Sequence, residues 1–159
     1  MKFVGILLIG AAAVWFSFEQ VKRERERLLL LEELYRFIEC IRSEITCYLR
    51  PISEIPANFS SELLCECGFL CDAVNLGLNK AYIRLEEKFN LKNEEKKLLG
   101  RFFSLVGRGY AADEIKLSES VGEELLRIIG RERADAPKRK KLVVTLSGAA
   151  AFALIILLI

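Results

Sequence analysis

Histidine is absent from the 159 residues, and that absence closes off more chemistry than any residue present opens. Without an imidazole the chain lacks the usual general base near neutral pH. It also lacks Ser–His and Cys–His nucleophile pairs, and the ligand common to catalytic zinc and non-haem iron sites. There is no G-x-x-x-x-G-K-[ST] loop, which excludes a P-loop nucleotide site. Charge of one sign is not in excess either, since 24 Lys and Arg face 22 Asp and Glu for a net of +2. No broad basic surface for nucleic acid follows from that balance. The expectation is a protein that is not an enzyme, with no catalytic, cofactor-binding or metal-binding residue to name.

The apolar residues that are present are unevenly distributed. Hydrophobic residues make up 52% of a chain that is also 29% charged, so they must be concentrated somewhere. Residues 1–18 carry one charge, Lys2, and residues 142–159 carry none. As a helix the second stretch spans ~27 Å at ~1.5 Å per residue, close to a hydrocarbon core of ~30 Å. The first, residues 3–18, ends in Trp15, Phe16 and Phe18, an aromatic belt at an interface. A cleaved signal peptide is the rival reading, with Ala11, Ala12 and Ala13 at the cut. Against it, the n-region holds only Lys2 and residues 14–18 stay apolar, so a retained helix is expected.

Orientation follows from the flanking cations. Lys22, Arg23, Arg25 and Arg27 follow the first segment; Arg131, Arg133, Lys138, Arg139, Lys140 and Lys141 precede the second. Both clusters place the middle of the chain in the cytoplasm and the two termini across the membrane. The expected organisation is a transmembrane helix over 1–19, a cytoplasmic helical bundle over 20–137, and a basic flank with a second transmembrane helix over 138–159. Small residues at 10–13 and 147–151 begin at matching depth from the cytoplasmic ends. They suit an antiparallel helix pair, although Ala and Gly are also common in membrane helices generally.

The middle predicts an all-α fold. Leu31, Leu34, Ile38, Ile41, Ile45 and Tyr48 recur at alternating spacings of three and four, one apolar stripe on a helix that starts near Glu19 and stops before Pro51. A coiled-coil homodimer or packing inside a bundle would each use that stripe. A turn-rich stretch follows over 51–58, with room for a short helix at Ser53. Ser60, Ser61 and Glu62 then open another helix, with serine as cap. Gly68, Gly77 and Asn79 mark boundaries, 80–89 is helical, and Asn93 opens a helix carrying Leu98, Leu99, Phe102, Phe103 and Val106 up to Gly107 and Gly109. Asp113 is expected to cap the last helix, with Leu117, Val121, Leu125 and Ile128 on one face. Gly122 and Gly130 weaken it, and Pro137 breaks or kinks it.

Three patterns invite chemistry. Cys65, Cys67 and Cys71, with Cys40 and Cys47 nearby, make an odd set of five that suits a reducing compartment. Their spacing is not that of a zinc finger or ribbon; on one helix Cys67 and Cys71 would share a face, and reduced core cysteines are the expected reading. Gly107-Arg-Gly109-x-x-Ala112 matches a loose dinucleotide pattern but has no strand before it, so a helix terminus is expected. The pairs Glu32-Glu33, Glu86-Glu87 and Glu123-Glu124 read as solvated helix faces.

Leu8-Ile9-Gly10 in the first span, Glu44-Ile45-x-x-Tyr48 followed by Pro51, Ser53-Glu54, and the step from Phe102 to Val106-Gly107 occur in an order that resembles the stage III sporulation protein AB family of endospore-forming bacteria. The closing span after a basic stretch extends the resemblance over essentially the whole chain. Where the family tends to carry an acidic residue and then glutamine after its Leu-Gly step, this chain has Tyr110 and Glu114-Ile115. The resemblance implies a non-enzymatic platform subunit, similar to the cytoplasmic domain of the inner-membrane platform proteins of type II secretion and type IV pilus machines. It would sit in the mother-cell membrane around the forespore, in a secretion-like channel between the two cells. The implied partners are the channel's cytoplasmic ATPase and its other membrane subunits, with a homo-oligomer as a further option. The alternative is a general membrane-tethered helical adaptor or coiled-coil dimer.

Overall fold

The three-and-four stripe beginning at Leu31 becomes the spine of the fold. In the computed structural model the first helix, α1, runs through Lys2–Tyr48. The backbone is described over 2–48 and 50–158; the side chains of residues 1–14, 16, 17, 49, 139–141, 143, 144, 146, 147 and 149–159 lie outside that description. After α1 come a 3-10 turn at Ile52–Glu54 and the helices α2 (Ile55–Asn58), α3 (Glu62–Glu66), α4 (Phe69–Leu76), α5 (Leu78–Lys88), α6 (Asn93–Leu105) and α7 (Ala111–Leu158). Among the described residues there is no strand. The chain divides into two compact units, residues 27–130, and residues 1–26 together with 131–159.

The 27–130 unit is organised around α1. Leu31, Leu34, Ile38, Ile41 and Ile45 are buried as their spacing predicts, and Leu30 and Phe37 widen the stripe. Tyr48 departs from it. It is the last residue of α1 and is 68% exposed, with the Arg50 guanidinium 5.9 Å from its ring centre. A chain of rings ties the short helices to this spine. Phe37 of α1 meets Phe59 and Phe69 edge-on, Phe69 meets Phe103, and Phe103 stacks on Tyr82 at 5.0 Å. Each such pair is worth about 0.5–1.5 kcal/mol beyond its buried area. Rings from α4, α5 and α6, with Phe59 after α2, are thereby joined to α1.

Local signals set the helix ends. Ser61 Oγ accepts the Leu64 amide at 3.2 Å and caps α3, as the serine pair predicts. Gly68 and Gly77 sit at φ of 83° and 87°, the left-handed region where a Cβ is strained, and they separate α3, α4 and α5. Two expectations about α7 are corrected. Asp113 does not cap it, because the helix already begins at Ala111 and the Asp113 amide bonds back to the Tyr110 carbonyl. Nor does Pro137 break it, because α7 continues through that residue. Proline already holds the helical φ, so the preceding turn must tolerate one missing amide and the ring's crowding against the carbonyl four residues back.

Gly122 has a role that helix propensity alone hides. A Cβ there would lie 3.1 Å from Glu39 Oε1 and 3.8 Å from Tyr35 Cε2, so the glycine lets α7 approach α1. Arg42 reaches Glu119 at 4.0 Å, and in this unit the two helices run antiparallel. Among the described residues no helix is long and apolar enough to cross a membrane. The expected spans 3–18 and 142–159, with their small-residue clusters at 10–13 and 147–151, fall mostly on side chains outside the description.

Arg27, counted from sequence among the juxtamembrane cations, is corrected to a core residue. It continues the stripe one step back from Leu31, is 6% exposed, and places Nη1 3.3 Å from Glu95 Oε1. Glu95 Oε2 accepts the Lys92 amide at 2.8 Å and so closes the start of α6. Replacing one member of such a pair strands the other charge away from water, at a cost of about 3–5 kcal/mol. Arg27→Met is therefore expected to lower unfolding stability by that amount in urea denaturation, and Arg27→Met with Glu95→Gln to recover much of it.

Candidate functional site

The junction between α6 and α7 is where backbone geometry converges most tightly. α6 ends at Leu105, Val106 turns extended, and Gly107 takes φ +85°. That left-handed step points three successive amides, those of Gly107, Arg108 and Gly109, toward one place. Glu114, in the first turn of α7, puts Oε1 there and accepts all three at 2.9, 3.1 and 2.9 Å. The carboxylate also lies at the electropositive start of its own helix. Gly109 lies close against the carboxylate, where a Cβ would sit in ordinary contact at 3.4 Å from Glu114 Oε1 and 3.6 Å from Asp113 Cβ. The Gly-Arg-Gly pattern thus forms an anion-binding nest filled by the chain's own glutamate, and the expected helix terminus is what it marks.

Glu114 also lines an open cleft of about 770 Å³ within the 27–130 unit. One wall is the turn that leaves α1, with Arg50 and Ile52; another is the α4–α5 junction, with Val74 and Lys80; the 106–111 loop closes it. Its floor is apolar, drawing on Ile45, Phe103 and Val106, all buried. Glu114 is 3% exposed, and its second oxygen, Oε2, is buried with no hydrogen-bond partner. Three cations, Arg50, Lys80 and Arg108, stand around this single buried carboxylate. Arg50 is held by Glu44 at 3.3 Å.

Sequence reading noted Glu114 only as a departure from the family pattern and gave it no task, although a signal was there. The apolar face of α7 runs through Val121, Leu125 and Ile128; carried back at the same three-and-four spacing it reaches Ser118 and Glu114, both buried. Polar residue types on an otherwise apolar stripe mark the positions where polarity has a task. Leu117, assigned to that face from sequence, is only partly buried.

The cysteines separate differently from expectation. All five are free; Cys40 and Cys67 are half-buried, whereas Cys47, Cys65 and Cys71 are exposed and are not core residues. Cys67 and Cys71 do not share a helix face, because Gly68 ends α3 between them. Burial pushes the Cys40 thiol up, with Glu44 adding to the effect, and burial likewise raises Cys67. Among the described residues no group of three or more Cys, Asp or Glu side chains is placed to hold a metal. Glu123 and Glu124 are solvated as expected, but Glu33 is partly buried and pairs with Arg36 at 2.8 Å, and Glu86 pairs with Lys96 at 3.3 Å.

Removing the shared acceptor should cost more than an ordinary surface change, because hydrogen bonds to charged groups are worth about 1.5–3 kcal/mol. Glu114→Ala is expected to lose at least about 2 kcal/mol of unfolding stability in urea, and Glu114→Gln, which keeps an oxygen but not the charge, to lose less. An unchanged midpoint for Glu114→Ala would remove the nest from any structural role.

Comparison with curated proteins and with solved structures finds no match. The profile of the family described as stage III sporulation protein AB matches residues 2–159. That span takes in both long helices, the aromatic core and the α6–α7 nest, so the chain belongs to the stage III sporulation protein AB family.

Proposed function

We propose that this protein is a non-enzymatic membrane platform subunit of a secretion-like channel formed during sporulation between mother cell and forespore. The observation that carries the reading is the family match along 2–159, which ties the whole chain to sporulation. The finer role comes from the resemblance of this family to the platform domains of secretion and pilus machines. In this reading the apolar segments 3–18 and 142–159 cross the mother-cell membrane around the forespore. The 27–130 unit faces the cytoplasm and docks the channel's ATPase and other membrane subunits.

Several features support it. Trp15, Phe18 and Leu142 are large apolar side chains left 61–78% exposed, as a lipid-facing surface would leave them. Residues 1–26 and 131–159 belong to one unit, as an antiparallel membrane pair would require. With Arg27 turned inward, Lys22, Arg23 and Arg25 remain as the cations of the first flank. The competing coiled-coil dimer would need the α1 stripe, yet Leu31, Leu34, Ile38 and Ile41 are fully covered within the chain. A platform needs rigid surfaces and no reactive centre, which accords with a histidine-free sequence.

Two measurements test the reading. Topology reporters fused after Ile159 and within residues 90–93 should report opposite sides of the membrane; a cytoplasmic Ile159 would overturn the orientation. From sporulating cells the full chain in detergent should co-purify with the apparatus's ATPase. Co-purification of neither the ATPase nor any channel membrane subunit would instead favour an adaptor unrelated to that machine.

A further inference from the structure

We infer that the cleft over Glu114 is a docking site for an acidic, amphipathic segment of a partner protein, its apolar side chains inserted and its carboxylates at the rim. This deepens the platform reading by giving one surface on which such a subunit would hold another protein.

The apolar half of the inference rests on what is left in water. Val74 is 52% exposed and Leu76 39% exposed on the cleft wall. Large apolar and aromatic side chains gathered around a concavity are the usual composition of an interface centre. A cleft of about 770 Å³ takes a few large side chains, so it suits a helical turn or two rather than a domain face.

The charged half rests on what the rim offers and what the floor refuses. Among the described residues neither Lys80 nor Arg108 makes an ion pair within the chain, and both side chains are exposed. Arg50, paired with Glu44, is a third cation of the lining. The interior offers an anion no seat, because the floor is apolar and Glu114 Oε1 already occupies all three nest amides. A segment carrying leucine-like residues inward and carboxylates outward meets both requirements. The nest holds the 107–109 loop in place beforehand, so little ordering cost falls on binding.

The test uses the full chain in nanodiscs of zwitterionic lipid, with empty discs as blank. The probes are fluorescein-labelled peptides of about 12 residues, roughly three helical turns. One is built of Leu and Glu, one of Leu and Lys, and binding is read by anisotropy. The Leu/Glu peptide should bind, and weaken several-fold as salt rises past the physiological range. Lys80→Glu with Arg108→Glu should reduce its affinity at least about tenfold and favour the Leu/Lys peptide. Val74→Ser should weaken it with no change in salt dependence. Both sets of changes are on exposed side chains, and circular dichroism verifies the fold. Equal affinity for the two peptides, no binding of either, or indifference to the double charge reversal would overturn the inference. A second arm offers vesicles of anionic lipid to the same discs; capture of the vesicles that the double charge reversal abolishes, with no peptide bound, would make this face a membrane contact and overturn the inference. Failed peptide binding with the ATPase still co-purifying removes this surface alone; peptide binding without co-purification removes the assembly instead.

Discussion

One carboxylate oxygen sets the geometry at the end of the 27–130 unit. Glu114 Oε1 gathers the amides of Gly107, Arg108 and Gly109, three donors that would otherwise face water in an irregular loop. The bond set fixes where α6 stops and at what angle of chain α7 starts. It also fixes one wall of the cleft and the position of Arg108 on its rim. Gly107 supplies the left-handed turn that aims the three amides. Remove the acceptor and three N–H groups lose a charged partner at once, which is why so small a contact carries so much of the local architecture.

Arg27 with Glu95 works in a related way at the other end of the unit. In both places a charged residue occupies an apolar stripe, and in both the partner is a group that begins a helix: the Lys92 amide at α6, the 107–109 amides before α7. Buried charge contributes little net stability, but breaking it costs heavily, so such pairs fix register more than they add strength. Between them the rings of Phe37, Phe69, Phe103 and Tyr82 supply the apolar packing. Burial and desolvation accordingly push the Tyr82 hydroxyl well above its ordinary range, and it donates to the Lys96 carbonyl at 3.3 Å.

Much of the helical architecture could be read from local chemistry. The stripe from Leu31 to Ile45, the serine cap at Ser61, and glycines at 68, 77 and 107 all act within a turn or two, where spacing and side-chain type decide the outcome. The departures share a cause. Arg27, Glu114 and Ser118 sit on buried stripes, yet their residue types say surface; only a partner distant in sequence makes the first of them tolerable. Gly122 looks like a weak point until Glu39 and Tyr35 of another helix are placed beside it. Pro137 looks like a stop because the composition of its neighbours gives no measure of what the helix can tolerate. The cleft was not legible at all, since its walls come from three segments brought together only by the fold.

The proposed platform role requires a fixed surface, and with it a 107–109 loop that does not move. Amide hydrogen exchange of the full chain at Gly107, Arg108 and Gly109 tests this most directly. If Glu114 holds the nest, the three amides exchange together and slowly, at rates like those inside α6, although the loop itself is exposed. Exchange at the rate of an unstructured glycine loop, with α6 still protected, would contradict the account.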